Sequence, residues 1–293
     1  MPDLDTTHEV ATPPRQARRR EPEWVENRPS QRWLPRLDLH ELWSYRELGW
    51  ALAQKALRVR YKQTAFGVSW AVIQPLAAVL IFTVVFGKLA KLPTDGIAYS
   101  VFSYAGMILW IYVSSTISGA AQSLVESRDL VTKIYFPRLV APLSAAIPGL
   151  ADFAIAFVVL IGMMVFLGVA PGLAVVLLPV WILAAMVTGL VIGTPLAALN
   201  VKYRDVRVAL PLLLQLGLYA SPVAYSASLF TGAWSYVYAL NPVVTILNGF
   251  RWSIAGGPAP GPPAFVSLAV VVVVGAAGFV YFRRVERSFA DVV

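Results

Sequence analysis

Apolar residues run in long blocks along this chain, cut by short charged segments. They do not alternate as in a half-buried strand or follow the narrow stripe of a soluble helix. Residues 63–87, 96–125, 153–201, 208–250 and 252–282 contain no Asp, Glu, Lys or Arg. A helix crossing a bilayer needs about 20 mostly apolar residues, so several blocks hold one span and the longest hold two. The pattern predicts spans over about 67–87, 102–124, 140–167 and 173–199. A fifth begins near Val208 and weakens at Ser221-Pro222, and a last covers about 263–282. Only Gly168-Val-Ala-Pro-Gly172 divides the third from the fourth, which predicts an antiparallel hairpin. The fold class is all-α and polytopic.

Block 208–250 is long enough for one span or two, and positive charge decides between them. Arg46, Lys55, Arg58, Arg60 and Lys62 precede the first span. Arg128, Lys133 and Arg138 lie between the second and third, and Lys202, Arg204 and Arg207 between the fourth and fifth. Arg283, Arg284 and Arg287 follow the last, whereas the intervening loops hold only Lys88, Lys91 and Arg251. Six spans put every rich cluster on the cytoplasmic side with both termini. Residues 226–250 then form an outer segment too apolar for an ordinary loop. Phe230, Trp234, Tyr236, Tyr238 and the break at Asn241-Pro242 suggest two short helices re-entering the outer leaflet, with an interfacial cap as the alternative.

Residues 1–40 are rich in Pro, Arg, Glu and Gln without an apolar period, and are expected to be a disordered cytoplasmic tail. Over 41–62 the periodicity changes. Leu42, Tyr45, Leu48, Leu52, Ala56 and Val59 recur every three or four residues, with Glu47, Gln54, Lys55, Arg58 and Lys62 opposite and Trp43 and Trp50 alongside. That is a basic amphipathic helix suited to a membrane interface. Residues 63–282 form the six-span domain and 283–293 a second cytoplasmic tail.

Composition narrows the chemistry. The 293 residues are 58% hydrophobic and 14% charged, with a mean hydropathy of +0.66, against roughly 25% charge in soluble domains. The net charge of +8 does not indicate nucleic acid: residues 1–40 carry seven arginines and seven acids, so the excess belongs to the membrane-bearing part. Without cysteine there are no disulfides, thiolate metal sites or cysteine nucleophiles, and both histidines, His8 and His40, precede the first span. No phosphate-cradling Gly-rich Lys loop occurs. No catalytic or metal-binding set is expected in this chain. Asp152 is the one ionisable residue well inside a span, which suggests a hydrogen bond to a neighbouring helix or, less simply, a proton relay.

Segment 126–138 separates two membrane-length runs and is too short to fold alone. With Glu126, Arg128, Asp129, Lys133, Tyr135, Phe136, Pro137 and Arg138 it presents a small charged surface tipped with aromatics, suited to docking a partner. Aromatic residues in or near the spans, among them Phe82, Phe86, Tyr104, Tyr219 and Tyr225, fit either an interfacial belt or ring faces that let a sugar chain slide.

Four ordered motifs resemble the permeases of polysaccharide-export ABC transporters, the O-antigen and teichoic-acid exporters. They are Arg60-Tyr-Lys-Gln-Thr-Ala-Phe-Gly-Val-Ser-Trp70 through Gln74-Pro75-Leu76, then Lys133-Ile-Tyr-Phe-Pro-Arg138, then Asn200-Val-Lys-Tyr-Arg-Asp205. The fourth is Leu240-Asn-Pro242 with Gly249-Phe-Arg251. The resemblance covers about residue 41 to the end. It implies a multi-pass protein of a bacterial inner membrane, working as a homodimer with two copies of a separate subunit that binds ATP and Mg. It further implies a channel lined mainly by spans one and five, an outer gate containing Phe230, Trp234, Asn241 and Pro242, and a lipid-linked polysaccharide as cargo, usually on a polyprenyl-pyrophosphate. On that view Tyr135 and Phe136 fill a pocket on the ATP-binding subunit while Arg128 and Lys133 steer docking. Arg58, Arg60 and Lys62 attract the carrier pyrophosphate. Rival readings are a type-2 ABC permease for drugs or other lipids, and a lipid-linked sugar transferase, for which a catalytic acid pair is missing.

Overall fold

A computed structural model of the chain describes residues 39–62 and 67–286. The expected tails lie almost wholly outside these residues, as does part of the motif beginning at Arg60. Among the described residues all regular structure is helical. Helices α1 (Leu39–Ser44) and α2 (Arg46–Tyr61) are followed by α3 (Trp70–Phe82), which continues in a π-helical stretch to Leu89. Next come α4 (Tyr99–Glu126), α5 (Arg128–Lys133), α6 (Val140–Ser144), α7 (Ala146–Phe166) and α8 (Leu178–Lys202). The chain continues through α9 (Asp205–Ala220), α10 (Ala233–Tyr238), α11 (Pro242–Ala255) and α12 (Ala264–Glu286).

Among the described residues, five helical stretches are long and apolar enough to cross a membrane: Trp70–Leu89, Tyr99–Glu126, Val140–Phe166, Leu173–Lys202 and Ala264–Glu286. They lie where the charge-free blocks predicted. The expected fifth span is represented by α9, which stops at Ala220, before the Ser221-Pro222 pair that was expected to weaken it. Its 16 residues rise about 24 Å at about 1.5 Å per residue, short of a hydrocarbon layer of about 30 Å.

Helix α4 is the axis. All of residues 101–110 are buried, and α7, α8 and α11 pack around it. Between membrane helices, attraction comes from close packing more than from expelled water, so small residues gather at the contacts. A Cβ at Gly193 of α8 would stand 2.7 Å from Ala120 Cβ, and one at Gly189 would stand 2.8 Å from Thr116. The two glycines let the α8 backbone lie directly on α4. Phe153 links the rings of Tyr112 and Phe250, with centroids 5.6 and 5.9 Å away, and closes the centre of the core.

A second cluster lies at the basic end of the bundle. Leu52 of α2 packs there with Leu124, Phe136, Leu139, Val140, Ala198 and Phe282, with Tyr45 and Leu48 alongside. The apolar stripe of the amphipathic helix is therefore partly covered by protein instead of lying wholly against lipid. A bend at Tyr45 separates α1 from α2, and Trp43 and Trp50 remain exposed. The stripe leaves the protein surface further on, where Val59 is 67% exposed.

Candidate functional site

Three places gather the polar chemistry of the bundle. The first is a cavity of about 740 Å³ between α2, α4 and the α6–α7 turn, bordered also by Gln74 of α3 and Leu214 of α9. Its wall on α4 is a polar stripe of Ser114, Ser118, Gln122 and Glu126, spaced four apart, joined by Ser115 and Ser123. Residues at that spacing share one helix face. Gln122 donates to Ser118 Oγ at 2.9 Å, and Ser114 and Ser115 donate to carbonyls one turn back. The opposite wall is α2, which contributes Lys55, Ala56, Val59 and Arg60. Reading 102–124 as a span does not disclose this stripe, although the four-residue recurrence of hydroxyl and amide groups is visible in the sequence.

A smaller recess of about 140 Å³ adjoins Arg60, Tyr61, Trp70, Gln74 and Asp152. Arg60 Nη1 and the Tyr61 hydroxyl both donate to the Asp152 carboxylate. The Tyr61 hydroxyl is pushed up to about 12, first by burial and then by its bond to Asp152. The intramembrane acid is thus neutralised by the end of α2, as the hydrogen-bonding reading of Asp152 supposed. This also qualifies the role expected of Arg60, which already has a carboxylate partner. Arg58 and Lys62 are exposed on the flank of α2.

The second place is segment 126–138. Glu126, Arg128, Asp129, Lys133 and Tyr135 are all exposed, and the Tyr135 hydroxyl reaches Glu41 of α1 at 3.4 Å. Phe136 corrects the expectation. At 4% exposure its ring is part of the core formed with Leu52 and Phe282, so it has no surface to offer a partner's pocket. Pro137 is buried as well, and Arg138 donates to the backbone carbonyl of Glu286 at the end of α12. The segment is anchored by its second half and displays its first.

The third place lies at the opposite end. The non-helical backbone after α9 is buried, and its carbonyls must find donors. Arg251, 3% exposed, supplies most of them: Nη1 donates to Pro222 O at 2.6 Å and Nη2 to Val223 O at 2.8 Å. Tyr99 donates to Ala224 O at 2.7 Å, and Asn241 Nδ2 to Ser221 Oγ at 2.9 Å. Asn241 also caps α11 by accepting from Val243 N. Burial pulls the Arg251 guanidinium below the usual arginine range, and Asp95 opposes that. Asp95, at φ 55, accepts from the hydroxyls of Ser226 and Ser228 and ties the loop after the first span to the outer segment. In the sequence Arg251 is a loop charge and the end of the Gly249-Phe-Arg251 motif, and nothing in its neighbourhood discloses these partners.

The aromatic candidates divide. Tyr104 is fully buried and its hydroxyl reaches Ala156 O at 3.3 Å, so it belongs to the core and does not line a channel within this chain. Phe82 and Phe86 meet edge to face at 5.6 Å. Tyr219 is 59% exposed; Tyr225 donates to its carbonyl at 2.9 Å and accepts from Tyr238 at 2.9 Å. Phe230 lies 4.2 Å from the Tyr238 ring, while Trp234 is exposed. The Gly249-Phe-Arg251 motif acquires a physical reading. Gly249 leaves room for the Trp181 ring, 2.3 Å from where a Cβ would sit; Phe250 fills the core and Arg251 holds the break. Asn200, from another motif, donates to Ala121 O at 2.9 Å and ties α8 to α4. Among the described residues no group of three or more His, Asp and Glu is gathered as a metal site.

Comparison with known proteins gives concordant matches. The family described as ABC-2 type transporter matches residues 47–255. The chain is 32% identical over 261 residues to the O-antigen export system permease protein RfbA of Myxococcus xanthus, covering 86% of this chain and 98% of that protein. Two proteins of the same name from Klebsiella pneumoniae are 22% and 23% identical over 243 and 247 residues, each covering 83% of this chain and 93% of the relative.

Proposed function

The chain belongs to the ABC-2 type transporter membrane family, and on that premise we propose that it is the channel-forming subunit of a polysaccharide exporter. Its cargo is a lipid-linked polymer of the O-antigen or teichoic-acid kind, moved across the cytoplasmic membrane of a bacterium. The observation that carries this reading is similarity to O-antigen export permeases over nearly the whole of their length. ATP and Mg belong to a separate subunit, since this chain supplies no recognisable phosphate loop of its own.

The working assembly is two copies of this chain with two ATP-binding subunits. Helix α9 leaves Val208, Leu212, Leu213, Leu216 and Tyr219 uncovered, and α3 with its π-helical continuation leaves Leu80, Ile81 and Val84. A second copy meeting these faces would place spans one and five around a common passage, with Phe82, Phe86, Tyr219 and Tyr225 along it. In this reading α9, with the satisfied backbone after Ala220, supplies the fifth of six crossings. Both termini then face the cytoplasm, and α10 and α11 form the outer gate with Phe230 and Trp234 at its edge.

ATP-driven closure of the partner pushes on 126–138, where Tyr135 inserts and Arg128 and Lys133 steer. Force passes to the bundle through Phe136 and Arg138, whose contacts join the segment to α2 and α12. Arg58, Arg60 and Lys62 draw in the phosphoryl groups of the lipid carrier. Depleting the chain should make the polymer accumulate on the inner side of the membrane; export that continues unchanged would rule the function out. A permease for drugs or other lipids shares the family and the ATP-binding partner, and the same experiment separates it, because no polymer would accumulate.

A further inference from the structure

Arg60 stands between the two cavities on α2. It borders the large one beside Lys55, with the Ser115, Ser118 and Gln122 wall opposite, and it borders the small recess beside Gln74. Its guanidinium is turned onto Asp152, whose side chain is only 15% exposed, while Arg60 itself remains 41% exposed. Such a cation is held by one anion and open to another.

We infer that the large cavity is a site for the phosphoryl headgroup of a lipid, with Lys55 and Arg60 as its anion donors and Asp152 as the resident anion that a bound headgroup displaces from Arg60. The inference rests on the exporter reading for the nature of the cargo and goes beyond it in assigning Asp152 and the α4 stripe.

The chemistry is directional. An arginine fork binds phosphoryl oxygens two at a time as it does a carboxylate, and a phosphodiester with the same single charge as Asp152 gains in the cavity a second cation, Lys55, while a pyrophosphate adds further negative charge. The hydroxyl and amide groups of Ser115, Ser118 and Gln122 face the same space and suit hydroxyls next to the phosphate. Glu126, at the basic end of α4, also borders the cavity and repels an anion near it, which favours the phosphoryl group toward Arg60, the residue that also borders the recess of Asp152. When Arg60 turns away, the Tyr61 hydroxyl still donates to Asp152, so the acid keeps a hydrogen bond inside the membrane. The bond lost is the ion pair tying the last turn of α2 to α7. Headgroup entry and release of α2 are therefore coupled, and the coupling is reciprocal.

The absence of cysteine makes the test direct. A Gln54→Cys and Leu150→Cys pair, spin-labelled in the complete transporter in phosphatidylcholine nanodiscs, reports the distance from α2 to α7. Phosphatidylglycerol titrated into the discs supplies a lipid phosphoryl group, and inorganic pyrophosphate supplies a free one. We expect phosphatidylglycerol to lengthen the distance. Asp152→Asn and Arg60→Gln should both adopt the lengthened distribution without any anion, since either removes the ion pair, whereas Lys55→Gln, which keeps it, should need at least tenfold more phosphatidylglycerol than the labelled protein without further substitution. A response to pyrophosphate but not to phosphatidylglycerol would overturn the lipid assignment. No response to either, or an Asp152→Asn distribution like that of the unmodified chain, would overturn the inference. Should Asp152→Asn fail to accumulate, the titration of the labelled cysteine pair without that substitution decides alone. Failure of the exporter reading would show separately, as continued polymer export on depletion, and would leave these distances unaffected.

Discussion

Arg251 holds Phe102 twice: Nε donates to its carbonyl at 3.0 Å, and the guanidinium carbon lies 3.5 Å from the centroid of its ring. The remaining nitrogens bind the carbonyls of Pro222 and Val223. One buried side chain thus joins α11, α4 and the broken backbone after α9. The positive charge is tolerated because three carbonyl dipoles and an aromatic face surround it.

Arg251→Lys keeps the charge and loses the fork, so at least one of those carbonyls is left without a donor in an apolar setting. We expect a loss of about 3 kcal/mol, from an order-of-magnitude cost of about 1–3 kcal/mol per orphaned buried group. Thermal unfolding of the purified chain in one detergent would measure it. Unchanged unfolding would mean that water or lipid reaches the break.

Tyr135 and Phe136 should separate cleanly. Phe136→Ala removes a core ring and should cost about 3–5 kcal/mol in the chain by itself. Tyr135→Ala should change stability by about 0.5 kcal/mol or less while sharply reducing the ATP-binding subunit recovered with it. Equal loss of that subunit in both, at unchanged stability, would return Phe136 to the docking surface.

Overpacking the central helix contact gives a third test. In Gly193→Val the new Cβ alone would meet Ala120 at 2.7 Å, so α8 must back away from α4. The expected cost is about 1–3 kcal/mol, seen as reduced accumulation in the membrane and a lowered unfolding temperature. Gly162→Val, where a Cβ meets nothing within 4 Å, is the control and should be nearly silent.

The clasp at the opposite end can be locked. Ser228 donates to Asp95 at 2.8 Å, and an Asp95→Cys, Ser228→Cys pair in this cysteine-free chain should cross-link under mild oxidation. If the outer segment moves during transport, oxidation should stop export and a reductant should restore it. Full export with the cross-link formed would make this segment a fixed cap.

The distribution of charge disclosed a good deal of the fold. The five long helices are apolar along most of their length and, Asp152 apart, carry charge only at their ends, because lipid and charge exclude each other along a helix whatever its neighbours are. Pairings were beyond its reach. Asp152 was visible as an anomaly, but its partners Arg60 and Tyr61 lie about ninety residues earlier, and one sequence does not say which helix faces which. Phe136 follows Tyr135 in a segment that mixes polar and apolar residues without a period, and only the fold turns one ring outward and the other inward. The polar stripe of α4 lies on a helix buried on most sides, where no apolar face contrasts with it. Residues that act singly at a helix end were therefore easier to read than those that meet across helices.

The central claim is that this chain carries polymer through the membrane and draws its energy from another subunit. Purification of the tagged chain from its own membranes in a mild detergent tests it most directly. The account predicts that an ATP-binding subunit comes with it in equal amount and is lost on Tyr135→Ala. A chain recovered alone from several detergents would contradict the account.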